Sequence, residues 1–142
     1  MTTWIKPDTE AFKHEHHVEC VLKGMTFNGK WSEFSDFEAD ALKGEAVEID
    51  KETDRQISYR SHTRSQEQLL NLLRSYRSWG TFRTEETVQH MYDGFDRRDA
   101  MPMPIVLRFK NGSMRVLGGN TRMDVAFQKG INPVVWMVDA PV

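Results

Sequence analysis

Residues 101–139 read MPMPIVLRFKNGSMRVLGGNTRMDVAFQKGINPVVWMVD, and the fold is decided there. Pro104 opens a strand, where a residue without an N–H does least harm. Ile105 to Lys110 and Ser113 to Leu117 flank Asn111-Gly112. An Asn-Gly pair between β-type runs is the strongest short-range hairpin signal, because both residues tolerate positive φ. Gly118-Gly119 breaks the second strand. Met123, Ala126 and Phe127 recur at helical spacing, and Gly130 fits the position just past a helix end. The spacing therefore predicts a helix over about Asn120 to Lys129. Pro133 to Asp139 reads as a largely buried strand. The unit is hairpin, glycine turn, helix, strand.

Two helices are predicted upstream. Ser65 followed by Gln68 is a capping-box pattern, and Leu69, Leu72, Leu73 and Tyr76 then form one apolar stripe, with Gly80 as a stop. Thr84 caps the second helix, and Glu85 and Glu86 favour the positive end of its dipole. Its stripe is Val88, Met91, Tyr92 and Phe95, ended by Gly94 and the cluster DRRD. Residues 1–54 are less regular. Phe34, Phe37, Ala41 and Leu42 have helical spacing, with Ser32 as N-cap and Gly44 as stop. Val47 to Asp50 and Gln56 to Tyr59 read as short strands around the polar turn KETD. These elements predict an α+β (mixed α/β) fold, a small mixed sheet with helices over residues 55–142. Residues 1–54 form an acidic N-terminal extension with a helix and a short strand.

The chain has 142 residues, of which 39% are hydrophobic and 28% charged, values that exclude a disordered or fibrous protein. One cysteine, Cys20, excludes an internal disulfide and fits a reducing compartment, so a cytoplasmic protein is expected. No apolar run approaches ~18 residues, so no membrane partner is expected. The opening MTTWIKPDTE lacks the basic-then-apolar layout of a secretory signal. The net charge of −2 conceals a lopsided distribution. Residues 1–54 hold thirteen acids and six lysines, whereas residues 55–83 hold six arginines against Glu67 alone. That block, Arg55, Arg60, Arg64, Arg74, Arg77 and Arg83, is either an anion site or a surface neutralised by the acidic segment.

The glycine turn offers anion-binding chemistry. Gly118 and Gly119 lack Cβ atoms, so the backbone turns sharply and a ligand can approach. The helix start at Asn120, Thr121 and Met123 presents N–H groups and a positive dipole end. The Thr121 hydroxyl can cap the helix or bind a phosphate oxygen, and Arg122 adds a planar cationic fork. The plain alternative is a Gly-Gly turn with Asn120 or Thr121 as an ordinary cap.

RVLGGNTRMDVA, set after a hairpin and before PVVWMVD, resembles the ParB/sulfiredoxin fold superfamily. Its members write the turn as GERR in ParB partition proteins and GGCHR in sulfiredoxins. The helix EQLLNLLRSYRSWG and the strand PMPIVLRF add to the likeness, which spans about residues 57–139. Small members carrying GGNTR resemble those of bacteriophage genomes. The resemblance implies a nucleotide at the turn, ATP or another NTP with Mg²⁺. By position it assigns Gly119 and Arg122 to the ends of the motif. Asn120 stands where sulfiredoxins carry the attacking cysteine, so sulfinic-acid reduction is not expected. The Asn120 amide could coordinate Mg²⁺ or donate to a phosphate. No general base is evident, so an enzyme, whether phosphotransferase or NTPase, is an open question.

Other clusters carry weaker chemistry. Arg60, His62 and Arg64 in YRSHTRS precede a helix start, and the fold expectation brings them near the turn. His14, His16, His17 and Cys20, with Glu15 and Glu19, include one helical chelate spacing, His16 and Cys20, but no second pair with metal-site spacing. Asp93, Asp96 and Asp99 around Arg97 and Arg98 read as a loop ion-pair cluster or a Mg²⁺ site. Trp4, Trp31 and Trp136 read as packing. Trp79, beside Arg77 and Arg83, reads as packing or as a platform for a base. The expected function is nucleotide binding at Gly118, Gly119, Asn120, Thr121 and Arg122 with Arg60, His62 and Arg64. The alternatives are a DNA- or RNA-binding module using the Arg60–Arg83 block, or a non-catalytic partner-binding protein.

Overall fold

The computed structural model describes residues 2–58, 65–75, 85–97 and 99–142. A short strand β1 (Trp4–Ile5) leads into α1 (Thr9–His16), which runs on as a π-helical segment (His17–Leu22). Next come α2 (Phe34–Ala41), β2 (Glu45–Glu48), the single turn α3 (Lys51–Asp54) and β3 (Ile57–Ser58). The helices α4 (Gln66–Ser75) and α5 (Glu85–Asp96) precede β4 (Met101–Pro102), β5 (Ile105–Arg108), β6 (Met114–Gly118), α6 (Asn120–Gln128) and β7 (Val134–Asp139).

The main sheet is mixed and has the order β2-β7-β5-β6-β3, with β1 and β4 forming a separate parallel pair. The two outer pairings differ: β2 runs antiparallel to β7, while β3 runs parallel to β6. Central strands read as continuous apolar runs because both faces are covered. Alternation sends Ile105, Leu107, Trp136 and Val138 to one face, where Phe12, Trp31 and Phe37 of the N-terminal segment pack on them. The other face carries Val106, Val116, Val135 and Met137, covered by Met123 of α6 with Ile49 and Ile57. On its far side α6 turns Val125 and Ala126 toward Leu69 of α4 and Val88, Tyr92 and Phe95 of α5. The fold is therefore an α+β arrangement with helices on both faces of one mixed sheet. The N-terminal segment supplies the edge strand β2 and most of the aromatic core on its face.

The expected hairpin, glycine turn, helix and strand all occur, but β5 stops at Arg108, the loop is longer, and β6 is shifted to Met114–Gly118, so that Gly118 ends the strand rather than breaking it. Phe109 N–H donates to the Ser113 carbonyl at 2.8 Å, and Gly112 takes φ +87° inside the turn. Helix α6 ends at Gln128, with Lys129 as its cap and Gly130 at φ +70° just beyond. The Ser65 hydroxyl accepts from Gln68 N–H at 3.2 Å, the first half of the capping box. Tyr76, Trp79, Gly80 and Thr84 lie outside the described residues.

Three local readings are corrected. KETD is a helical turn capped by Asp50, whose carboxylate accepts from Thr53 N–H at 2.7 Å; the strands beside it do not pair and end on opposite sheet edges. The cap of α2 is Glu33, because the Ser32 hydroxyl donates instead to the Gly29 carbonyl. Gly94 does not stop α5 but lies within it, where a Cβ would stand 2.6 Å from the Met101 methyl carbon. The buried indoles are polar-satisfied, as buried tryptophans require. Trp31 Nε1 donates to Asp40 at 2.7 Å and Trp136 Nε1 to the Ala41 carbonyl at 2.8 Å.

Candidate functional site

The glycine turn joins the end of β6 to the start of α6. Gly119 is the helix N-cap at φ +99°, a left-handed conformation, and being glycine it has no capping side chain of its own. A Cβ on Gly119 would stand 2.9 Å from the Pro104 Cα, so the position excludes side chains by backbone crowding as well as by φ. The Arg122 guanidinium folds back over the turn, with Nη2 3.0 Å from that Cβ position. Asn120 and Arg122 are half-buried. Thr121 is 1% exposed, backbone and hydroxyl alike, and is turned into the protein, so the structure does not present it to a ligand. Arg60, His62 and Arg64, which the sequence groups with this turn, lie outside the described residues, as do Arg77 and Arg83.

The structure adds charged residues that the turn alone does not suggest. Helical spacing in α1 and its π-helical continuation puts Phe12, His16, Glu19 and Cys20 on the buried face with Glu15 at its border. That face lies over the end of β6. The Glu15 carboxyl packs against Gly118, within 2.4 Å of where a Cβ would be. Burial pushes the Glu15 carboxyl above its ordinary value, and Glu19 adds to this, while His14, Arg122 and Lys23 pull it back. One turn on, Glu19 is paired with Arg115 of β6 at 2.6 Å and with Lys23 at 3.4 Å. The acidic segment thus pairs with an arginine, Arg115, that lies outside the arginine block. Charge is mixed around the turn, with Arg122 of α6 and Arg115 of β6 on one side and Glu15 and Glu19 of the N-terminal helical segment on the other.

The histidine–cysteine patch separates. His16 is buried with Nε2 2.8 Å from the Trp31 carbonyl and its ring against Phe34 and Phe37, while His14 and His17 face outward. Among the described residues no three His, Cys, Asp or Glu side chains converge as a metal site would require. Burial and Glu19 push the Cys20 thiol upward, which keeps it protonated and unreactive. The aspartates near Arg97 form ion pairs: Arg97 with Asp99 at 2.9 Å, and Lys129 with Asp96 at 2.7 Å. Among the described residues no helix is long and apolar enough to cross a membrane.

Glu15, Glu19 and Arg115 were not among the residues assigned to the turn from sequence. The available signal was the spacing of Phe12, His16 and Cys20 at i, i+4 and i+8, which marks a buried face bordered by Glu15 and Glu19. Acids beside a buried stripe need cationic partners. Comparison of the chain with protein-family models, with curated proteins and with solved structures finds no match in any of the three.

Proposed function

We propose that this protein binds the phosphates of a nucleoside triphosphate at the glycine turn, in the manner of the ParB/sulfiredoxin-like proteins its GGNTR motif resembles. One observation carries the reading. A left-handed glycine starts a nine-residue helix, and an arginine fork folds back over it. Such a helix start favours negative charge through its dipole and its N–H groups. Gly119 and Asn120 would meet the phosphates, and Arg122 would balance their charge.

Glu15 supplies the group that the motif lacks. It is the carboxylate against the turn, and burial raises its affinity for a proton, the direction a general base needs. The Asn120 amide offers an oxygen donor of the kind Mg²⁺ takes, and would help hold the ion that accompanies a triphosphate. The chemistry this supports is phosphoryl transfer or NTP hydrolysis, in which Arg122 would stabilise charge on the transferred group.

The test is thermal unfolding with ATP, CTP or GTP, each with Mg²⁺, on the wild type and on Arg122→Ala. A nucleotide at ~100 times its dissociation constant stabilises by about 2.7 kcal/mol. The reading expects that stabilisation for one nucleotide and its loss in Arg122→Ala. No stabilisation by any of the three overturns it.

A further inference from the structure

A cleft of about 640 Å³ lies at the end of α6 away from the glycine turn. Its floor is apolar: the Trp4 and Phe95 rings sit 5.8 Å apart at 53°, and Ile131 continues the surface. Three charged residues, Glu48, Asp96 and Lys129, also line it. Two of them satisfy each other, since Lys129 is paired with Asp96 at 2.7 Å, and the same ammonium sits over the Tyr92 ring at 5.5 Å. Glu48 is exposed, and among the described residues its side chain has no ion-pair or hydrogen-bond partner. The cleft therefore carries one unbalanced negative charge beside two aromatic rings.

That combination is recognition chemistry for an organic cation. Aromatic faces attract a cation through the ring quadrupole, and an unpaired carboxylate supplies the counter-charge that sets orientation. An anion is disfavoured there, because Lys129 is already engaged by Asp96 and Tyr92. The walls are fixed by the fold. Glu48 is held opposite Val134 in the β2–β7 ladder, with Ile49 N–H bonded to the Pro133 carbonyl at 2.9 Å. Trp4 is held by the β1–β4 pairing, with Met101 N–H bonded to the Thr3 carbonyl at 2.8 Å. We propose that this cleft is a second ligand site, for a small organic cation whose flat apolar body rests on Trp4 and Phe95 and whose charged end meets Glu48. It does not depend on the phosphate reading of the glycine turn.

The experiment is a titration of the full chain with benzamidine, and with its neutral and anionic counterparts benzamide and benzoate, followed through the backbone amide signals. The expected result is movement of the Gly130 and Ile131 amides by benzamidine, with benzamide and benzoate about fivefold weaker or more. Glu48→Gln should lower benzamidine to the level of benzamide. Asn132→Lys, which adds a competing cation at the exposed rim, should do the same. Both sites are exposed, and the remaining signals report whether the fold is kept. Unmoved amides, an equal response to benzamide, or unchanged benzamidine affinity in both folded variants overturns the proposal.

Discussion

The Glu15 carboxyl rests so close to Gly118 that a Cβ on residue 118 would stand 2.4 Å from it. Helix α1 and strand β6 lie far apart in the chain, yet the absence of one methyl group lets a charged side chain lie on the end of the strand. This contact makes the N-terminal segment part of the candidate site. It places a carboxylate, reluctant to ionise where it is buried, beside the arginine that the glycine turn contributes.

The two glycines of the turn should respond differently to alanine. At Gly118 the obstacle is the far end of a flexible side chain, so Gly118→Ala should cost about 1 kcal/mol by displacing the Glu15 carboxyl. At Gly119 the obstacle is the Pro104 backbone, and φ is +99°. Gly119→Ala should therefore cost about 2–3 kcal/mol. Urea unfolding of the two variants measures both, and a nuclear magnetic resonance titration of Glu15 in Gly118→Ala should show its carboxyl moving back toward the ordinary range. Equal losses for the two glycines would contradict this account.

Glu15 also makes stability depend on pH in a definite direction. Its carboxyl binds a proton more tightly in the folded than in the unfolded chain. Its contribution is therefore fully present below the unfolded value, about 4.3, and is lost as pH rises through the folded one. Glu15→Gln keeps the shape and removes the titration. The variant should match the wild type in relative stability at pH 4 and exceed it at pH 8, by a few degrees in Tm. The same linkage acts on ligands. An anion at the turn would raise the Glu15 carboxyl further, so ATP binding should take up protons and weaken with rising pH, and Glu15→Gln should flatten that trend. Calorimetry in buffers of different ionisation enthalpy counts those protons. A wild type more stable than Glu15→Gln at pH 8 speaks against a net cost for the buried carboxylate.

Elements whose rules are local were legible from sequence. The Asn111-Gly112 turn, the stripe of α5 and the buried run of β7 each follow from a few neighbouring residues. What was not legible depends on distant partners. KETD reads as a turn because four polar residues carry no period, and only the Asp50 cap together with the separation of β2 and β3 reveals the helical turn. Gly94 reads as a stop because helix-breaking is its commonest role, while its reason here is the Met101 side chain packed against it. Of the candidate site, the turn residues were legible because Gly-Gly before a helix has a physical meaning of its own. Glu15, Glu19 and Arg115 were not, because a carboxylate in an acidic segment gives no sign of which arginine it will meet.

The Glu19–Arg115 pair should be costly to break and cheap to replace. Glu19 is almost fully buried, and its partner is partly so. Removing one member leaves a charge without its counterpart, a loss of about 2–4 kcal/mol. Arg115→Met should show this loss, eased slightly by Lys23, which also reaches Glu19. Glu19→Gln together with Arg115→Met should recover much of it, because no charge is then left buried without its counterpart. A double-mutant cycle by chemical denaturation gives the coupling, and purely additive losses would mean that the pair contributes nothing of its own.

Tyr92 predicts a late step in alkaline titration. Its ring is buried, its hydroxyl donates to the Gln128 side-chain carbonyl, and burial with the nearby Asp124 charge pushes its phenol up to about 12. The unfolded chain would ionise the same group near 10. The folded state therefore holds the proton more tightly. This stabilisation is complete below pH ~10 and is lost between about 10 and about 12. Among the three tyrosines, ultraviolet absorbance should show one ionising after the others or together with unfolding. Tyr92→Phe should remove that step and flatten the fall in stability over the same range. Ionisation of all three tyrosines near pH 10 in a chain that circular dichroism shows still folded would mean that the hydroxyl is open to water, and that α5 does not pack on α6 as described.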